Sequence, residues 1–142
     1  MTAVFIGPTA PSFQQRPFFD APAVSAGFPN PAENEIEKPL SLDELLIGRP
    51  SSTFFLRLQG SSMEPTIPDG SILVVDRSVQ PRNGRIVVVS VDDQFLVKEL
   101  VVQSDGRKPY LRSHNRDYPD IVVEESADSL VWGCVVGFAK RL

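Results

Sequence analysis

The chain has 142 residues, of which 42% are hydrophobic and 23% are charged, so it carries enough apolar material for one folded domain. Its formal net charge of −4 argues against a protein that binds nucleic acid by neutralising phosphates, because such proteins cluster Lys and Arg. The single cysteine, Cys134, excludes an internal disulfide and a Cys metal cluster, and no apolar stretch reaches the roughly 18 to 20 residues of a membrane helix.

The N-terminal part, residues 1–40, differs in composition from the rest. Seven of the 13 prolines and five of the nine phenylalanines lie before Leu40. Proline disfavours long helices and central strands, whereas disordered linkers are poor in aromatic residues. We therefore predict an extended N-terminal arm that docks its aromatic rings on another surface.

Residues 41–142 are predicted to form a mainly β domain with one short helix. Ser41 and Glu44 form a capping box, and Gly48 ends the predicted helical turn. Short segments rich in Val and Phe follow, separated by turn pairs such as Asp69-Gly70 and Asp92-Asp93. The predicted strands are residues 53–59, 71–76, 85–92, 94–102, 109–113, 120–123 and 129–140.

Gly60, Ser61 and Ser62 follow the first of these strands, at a place where a serine is usually a turn residue. A serine hydroxyl becomes a good nucleophile only beside a base. The one histidine, His114, lies in the polar stretch RSHNRDYPD and is interpreted as a solvated loop residue. A Ser-His-Asp triad is therefore the less favoured alternative, and the lysines are the remaining candidates for the base.

Lys98 differs from the other lysines because it lies inside a predicted strand. Side chains alternate between the faces of a strand, so Lys98 shares a face with Leu96, Leu100 and Val102. Burial among apolar groups lowers the pKa of a lysine, and a neutral amine can act as the base of a Ser-Lys dyad. The alternative is a lysine whose ammonium reaches solvent or guards a sheet edge.

Several motifs together resemble the LexA/UmuD-type self-cleaving serine proteases. In that pattern the nucleophile is the serine directly before Met, which is Ser62 here, and the general base is Lys98, so Ser61 is a bystander. The resemblance implies a mainly β, LexA/UmuD C-terminal-like domain with cleavage between Ala26 and Gly27. The matching motifs are G-S-S-M at 60–63, P-x-G-x-I-L-V-V-D at 68–76, F-x-V-K at 95–98, V-S-A-G-F-P-N-P-A at 24–32, D-E-L-L-I at 43–47 and P-S-S-T-F-F at 50–55.

The UmuD-type resemblance also implies a function and partners. It implies a homodimer of the SOS response, whose cleavage is promoted by a RecA–single-stranded DNA filament. The shortened form would join a UmuC-like Y-family DNA polymerase in translesion synthesis. It implies no cofactor, no metal, no membrane contact and no direct specific DNA binding. Separately, the N-terminal segment lacks a basic start and an uninterrupted apolar stretch, so it does not match a secretory signal and we expect a cytoplasmic protein.

Three alternatives stay open. S-M-E-P-T-I at 62–67 also resembles the serine motif of type I signal peptidases, which use a Ser-Lys dyad too. A repressor fragment of the LexA class and a non-enzymatic β interaction module are the others. One departure from the family pattern is the partly reversed turn Asp69-Gly70-Ser71, which predicts the loss of a structural contact.

Overall fold

The computed structural model describes residues 2–8, 15–19, 36–124 and 130–142. Most of these residues lie in strands, with one short α-helix and one 3-10 turn. The elements are β1 (Thr2–Pro8), β2 (Gln15–Phe19), β3 (Ile36–Ser41), α1 (Leu42–Leu46), the 3-10 turn Pro50–Ser52, β4 (Thr53–Gln59), β5 (Ile72–Asp76), β6 (Ile86–Val91), β7 (Gln94–Val101), β8 (Tyr110–Arg112), β9 (Ile121–Val122) and β10 (Val131–Ala139).

The chain forms two compact units. One contains Met1–Thr9 and Arg49–Leu142, and the other contains Ala10–Gly48. In the smaller unit β2 pairs with β3 in an antiparallel ladder, and the Ser41 side chain caps α1 by accepting from the Glu44 N–H. One of the two hydrogen bonds of the predicted capping box, from the Glu44 N–H to the Ser41 hydroxyl, is therefore present. The predicted division at residue 40, into a cleavable arm and a protease domain, stays a prediction.

The larger unit is built on one eight-stranded sheet in the order β1-β4-β5-β10-β6-β7-β8-β9, and every pair is antiparallel. The C-terminal strand β10 lies in the middle, between β5 and β6. Its register shifts at Gly133, where an added Cβ would lie 2.6 Å from the buried Val75 Cγ1. Only glycine fits this close approach of β10 to β5.

The predicted mainly β fold is confirmed. The segment 53–59 is strand β4 with the same bounds, and each of the other predicted segments contains a described strand. The two turns named above are also present: Asp92 and Asp93 have φ of 49° and 62°, and Gly70 has φ of 85°. These values belong to the left-handed region that tight turns require. Within the arm, residues 2–8 and 15–19 are extended strands, as predicted.

The sheet is covered on both faces, which explains its continuous Val runs. In β6, Val87 and Val89 pack in one buried cluster, whereas Val88 between them packs in another. The second cluster receives Met63 and Ile67 from the connection between β4 and β5. Cys134 lies in the first cluster and is buried, as predicted for a small core residue. The connection that carries Ser62 is thus anchored by the core.

Candidate active site

Ser62 lies in the connection between β4 and β5, residues 60–71, which we call the serine loop. The side chains of Met63 and Ile67 are buried in the core. Their backbones are joined by a hydrogen bond of 3.0 Å from the Ile67 N–H to the Met63 carbonyl. Ser62 itself is fully buried, whereas Ser61 is half-buried, with its Oγ 3.4 Å from the Tyr118 hydroxyl. Core packing therefore fixes the position of Ser62, as a nucleophile requires.

Asp69 closes the base of the serine loop. Its carboxylate accepts a hydrogen bond of 2.7 Å from the Gly60 N–H, and its carbonyl accepts one of 2.6 Å from Lys140 Nζ. The Asp69 N–H donates to Glu64 Oε1 at 3.1 Å. Although the family's turn is partly reversed in this sequence, Asp69 still ties the two ends of the loop together.

Lys98 lies in β7 and is only 4% exposed. It pairs with Val87 in β6, and it shares its face with the fully buried Leu100. Burial lowers the pKa of the Lys98 ammonium below its ordinary value of 10.5, because the charged form loses its hydration. Of the three residues predicted to share its face, Leu100 is fully buried and Leu96 is partly buried, whereas Val102 is 44% exposed. Burial beside Leu100 and Val87 favours the neutral amine that a general base needs.

The Lys98 amine has two described neighbours in the segment that follows β8. Its Nζ donates to Ser113 Oγ at 2.5 Å, and it lies 5.5 Å from the centre of the Tyr118 ring. Leu100 pairs with Leu111 in the β7–β8 ladder, so Ser113 lies opposite Lys98 when the same register continues. Because Ser113 is also buried, its hydroxyl holds the amine in one place.

Residues 113–115, which we call the bridge segment, connect the lysine strand to the serine loop. The Asn115 N–H donates to the Ser62 carbonyl at 2.9 Å, and the Asn115 side-chain amide donates to the Ser61 carbonyl at 3.1 Å. Two residues earlier, Ser113 accepts from Lys98. One short segment thus contacts both of the residues for which the sequence predicts a catalytic role.

His114 in the middle of the bridge segment is not the solvated loop residue that the sequence suggested. Its Nδ1 lies 2.6 Å from Thr66 Oγ1 and its Nε2 lies 2.8 Å from Glu99 Oε1, and the side chain is 20% exposed. In the neutral ring Nε2 must carry the proton, since a carboxylate only accepts, and Nδ1 then accepts from the Thr66 hydroxyl. Both ring nitrogens are engaged, so His114 braces the serine loop against β7.

A cavity of about 690 Å³ opens beside the bridge segment. Ser113 and Tyr118 line it, and both also contact the Lys98 amine. Other parts of its wall are charged, including Glu99, Arg112 and Arg116. An extended peptide entering this polar cavity would approach the side of the site on which the amine lies.

The predicted scissile bond between Ala26 and Gly27 lies outside the described residues. Within the described ranges, no group of three or more His, Cys, Asp or Glu could hold a metal ion. In the same part of the chain, no helix is long and apolar enough to cross a membrane.

Sequence reasoning missed the contacts of Ser113, His114 and Asn115. The sequence did contain a signal for Ser113. If the predicted strands 94–102 and 109–113 pair so that Leu100 lies opposite Leu111, then Ser113 lies opposite Lys98. The contacts of Asn115 with the serine loop span more than 50 residues of sequence and carry no local pattern.

Known proteins are similar to most of this chain. The profile of the Peptidase S24-like family matches residues 17–136. The chain is 41% identical to the protein MucA of Salmonella typhimurium over 114 residues, which cover 79% of this chain and 76% of MucA. It is 41% identical to the protein ImpA of Shigella flexneri over 107 residues, which cover 72% of this chain and 73% of ImpA.

A LexA repressor from Shewanella sediminis is also similar. It is 38% identical over 120 residues, which cover 83% of this chain but 57% of the repressor. The family match spans most of the chain, including the serine loop, β7 and the bridge segment, and it confirms the resemblance that the motifs indicated. The chain belongs to the Peptidase S24-like family, and this membership supports a serine-peptidase type of activity.

Proposed function

We propose that this protein is a self-cleaving serine endopeptidase of the SOS response, which cuts its own arm between Ala26 and Gly27. Ser62 is the nucleophile and Lys98 is the general base. The processed chain, residues 27–142, is the accessory subunit of an error-prone Y-family polymerase.

The proposed chemistry requires the neutral amine of Lys98 to reach the Ser62 hydroxyl. As Ser62 Oγ attacks the Ala26 carbonyl carbon, its proton passes to Lys98 Nζ, and the carbonyl electrons move to the oxygen. Backbone N–H groups around Ser62 and Met63 are the expected donors to this oxyanion. Lys98 then returns the proton to the Gly27 nitrogen, and the Ala26–Gly27 bond breaks. Water, deprotonated by the same amine, then attacks the ester between Ala26 and Ser62. The ester bond to Ser62 Oγ breaks, Lys98 returns the proton to that oxygen, and residues 1–26 leave with a free carboxyl group.

The observation that carries the proposal is the buried amine of Lys98. An ammonium placed at 4% exposure costs free energy of folding, and its described hydrogen-bond partner is a neutral hydroxyl rather than a carboxylate. For a lysine with a structural role this burial is a cost that no described carboxylate offsets, whereas a general base needs an environment that favours the neutral amine. The bridge segment, which contacts both Ser62 and Lys98, supports a shared role for the two residues.

Self-cleavage of this kind acts as a switch in partner choice. Removing residues 1–26 takes away Arg16 and Asp20, so the formal net charge of −4 does not change. The fragment carries four phenylalanines, so what changes is apolar surface. We propose a cytoplasmic homodimer, promotion of cleavage by a RecA–single-stranded DNA filament, and a UmuC-like polymerase as partner of the processed form. Contact with DNA is then indirect, which is consistent with the acidic charge.

The test is a time course of intact mass at mildly alkaline pH, where more of the Lys98 amine is neutral. We expect first-order loss of residues 1–26 from the wild-type protein. Ser62→Ala and Lys98→Ala should each abolish it, and Ser61→Ala is the matched control that should cleave normally. Cleavage that survives Ser62→Ala, or a product with another terminus, would overturn the assignment.

The rival functions predict other outcomes of the same experiment. A signal-peptidase-like enzyme would leave its own arm intact and cut an added membrane preprotein. A β module without catalytic activity would show no proteolysis at any pH. A repressor fragment of the LexA class would bind operator DNA, which a protein of net charge −4 is poorly suited to do.

A further inference from the structure

Strand β1 forms one edge of the eight-stranded sheet, and β4 is its neighbour. The two strands are antiparallel, from Thr2 opposite Gln59 to Pro8 opposite Phe54, with a register shift between Phe5 and Gly7. Both strands belong to the same compact unit, although they are separated by more than 40 residues of chain. The first residues of the arm are therefore part of the folded sheet.

The backbone of β4 divides its hydrogen bonds between two neighbours. The Leu58 N–H donates to the Ser71 carbonyl at 2.8 Å, and the Leu58 carbonyl accepts from the Gly70 N–H at 3.0 Å, so Leu58 faces β5. Because these directions alternate along a strand, the backbone groups of Phe55, Arg57 and Gln59 face β1. If β1 leaves, this row of donors and acceptors loses its partner strand and becomes an open edge.

The proposed cut between Ala26 and Gly27 does not break any of this pairing. It severs the covalent path from β1 to the rest of the chain, yet every β1–β4 hydrogen bond lies within residues 2–8 and 54–59. The β1 segment TAVFIGP carries no charged residue, so hydration of a charge does not favour its dissociation into water. An extended, uncharged strand that is already paired in register can stay bound to this edge through its main-chain hydrogen bonds.

We propose that the outer edge of β4 is a strand-docking site that retains the fragment 1–26 after cleavage, through antiparallel pairing of residues 2–8. This rests on the proposed function, since it takes the cut at Ala26–Gly27 as given. Cleavage and release are then two separate steps, and the processed chain presents its open β4 edge only once the fragment has dissociated.

The register defines a peptide test with a matched control. Val4 lies opposite Arg57, whose backbone faces β1, so the Val4 N–H points toward β4. Ala3 lies opposite Leu58, which faces β5, so the Ala3 N–H points away from β4. N-methylation removes one N–H in either case. Only methylation at Val4 should prevent docking of a synthetic peptide of residues 1–10.

The experiment begins with complete cleavage, followed by size-exclusion chromatography and intact mass of the protein peak. We expect fragment 1–26 to elute with residues 27–142 at equal stoichiometry. An excess of the unmodified peptide or of the Ala3-methylated peptide should displace it, and the Val4-methylated peptide should be at least tenfold less effective. Arg57→Pro, which removes one N–H facing β1 at an exposed position, should release the fragment, whereas Arg57→Ala should retain it.

Two results would overturn the proposal: elution of the wild-type fragment apart from the protein, or equal displacement by the two methylated peptides. Failure of the proposed function is distinguishable from both. A recognition sequence for a site-specific protease, inserted after Ala26 in Ser62→Ala, allows the same cut to be made without the active site. Retention of the fragment can then be measured whether or not the chain cleaves itself.

Discussion

Replacing the buried amine of Lys98 with an apolar side chain should make the protein more stable at neutral pH while abolishing its proposed activity. The change is Lys98→Met, made in Ser62→Ala so that neither protein is cleaved. Methionine has a similar length and flexibility, which limits cavity formation. The variant removes the cost of a charge at 4% exposure, but it also removes the hydrogen bond to Ser113.

The pH dependence gives the magnitude. Burial lowers the pKa of Lys98 in the folded state below 10.5, so between the folded and unfolded pKa values the unfolded chain binds one more proton. In that window the stability of the lysine protein rises with pH by up to about 1.4 kcal/mol per pH unit. Below the folded pKa the full cost remains. Above pH 10.5 the lysine is neutral in both states, and the two proteins differ in stability by the hydrogen bond to Ser113. The lysine protein should then have the higher free energy of unfolding, by about 0.5–1.5 kcal/mol.

Urea unfolding measures this difference at a series of pH values from about 6 to about 11. Trp132 is the only tryptophan and packs on Phe54 and Phe95, with ring centres 5.4 Å and 5.2 Å apart, so its fluorescence reports the core. The advantage of Lys98→Met should be constant at low pH and then decline as pH rises. Parallel curves over the whole range would refute the reasoning, because Lys98 would then titrate alike in both states.

The remaining predictions concern the neighbours of the site and the sheet. Ser113→Ala removes the hydroxyl that holds the amine and should slow self-cleavage about tenfold in a mass time course, whereas Ser113→Thr should restore most of the rate. His114→Phe keeps a ring but leaves its two partners without the imidazole, and should lower the free energy of unfolding by about 1–3 kcal/mol in urea. Gly133→Ala puts a Cβ 2.6 Å from Val75 Cγ1 and should cost about 1–3 kcal/mol, seen as a lower melting temperature. Burial opposes the ionisation of Asp76, but hydrogen bonds from neighbouring serines outweigh this effect and hold the pKa of Asp76 below its ordinary value. The ionised carboxylate therefore stabilises the folded state above about pH 4, and this stability is lost as the pH falls through the folded-state pKa. Asp76→Asn should therefore be less stable at pH 7, with a deficit that shrinks in acid unfolding curves.

The strands could be predicted from the sequence because their signals are local. The segment TFFLRLQ is rich in aromatic and aliphatic residues and is followed by Gly60, and the structure gives the same bounds for β4. The burial of Lys98 was also predictable, since the alternation of QFLVKELVV puts it beside Leu100. Such inferences need only the period of a strand and the residues that end it.

The environment of His114 could not be predicted in the same way. Its partners Thr66 and Glu99 lie 48 and 15 residues away in sequence, and nothing in the polar stretch RSHNRDYPD distinguishes a braced histidine from a solvated one. The place of β10 between β5 and β6 is likewise non-local, because it depends on which strand edges remain free after the hairpins form. Long-range pairing decides both features.

The central claim is that the neutral amine of Lys98 takes the proton of Ser62. The most direct test compares two midpoints: the pKa of Lys98 measured by NMR titration of its side chain in Ser62→Ala, and the pH at which self-cleavage of the wild-type protein reaches half its maximal rate. The account predicts that the two midpoints coincide and lie below 10.5. A cleavage rate that stays level while Lys98 titrates would contradict it.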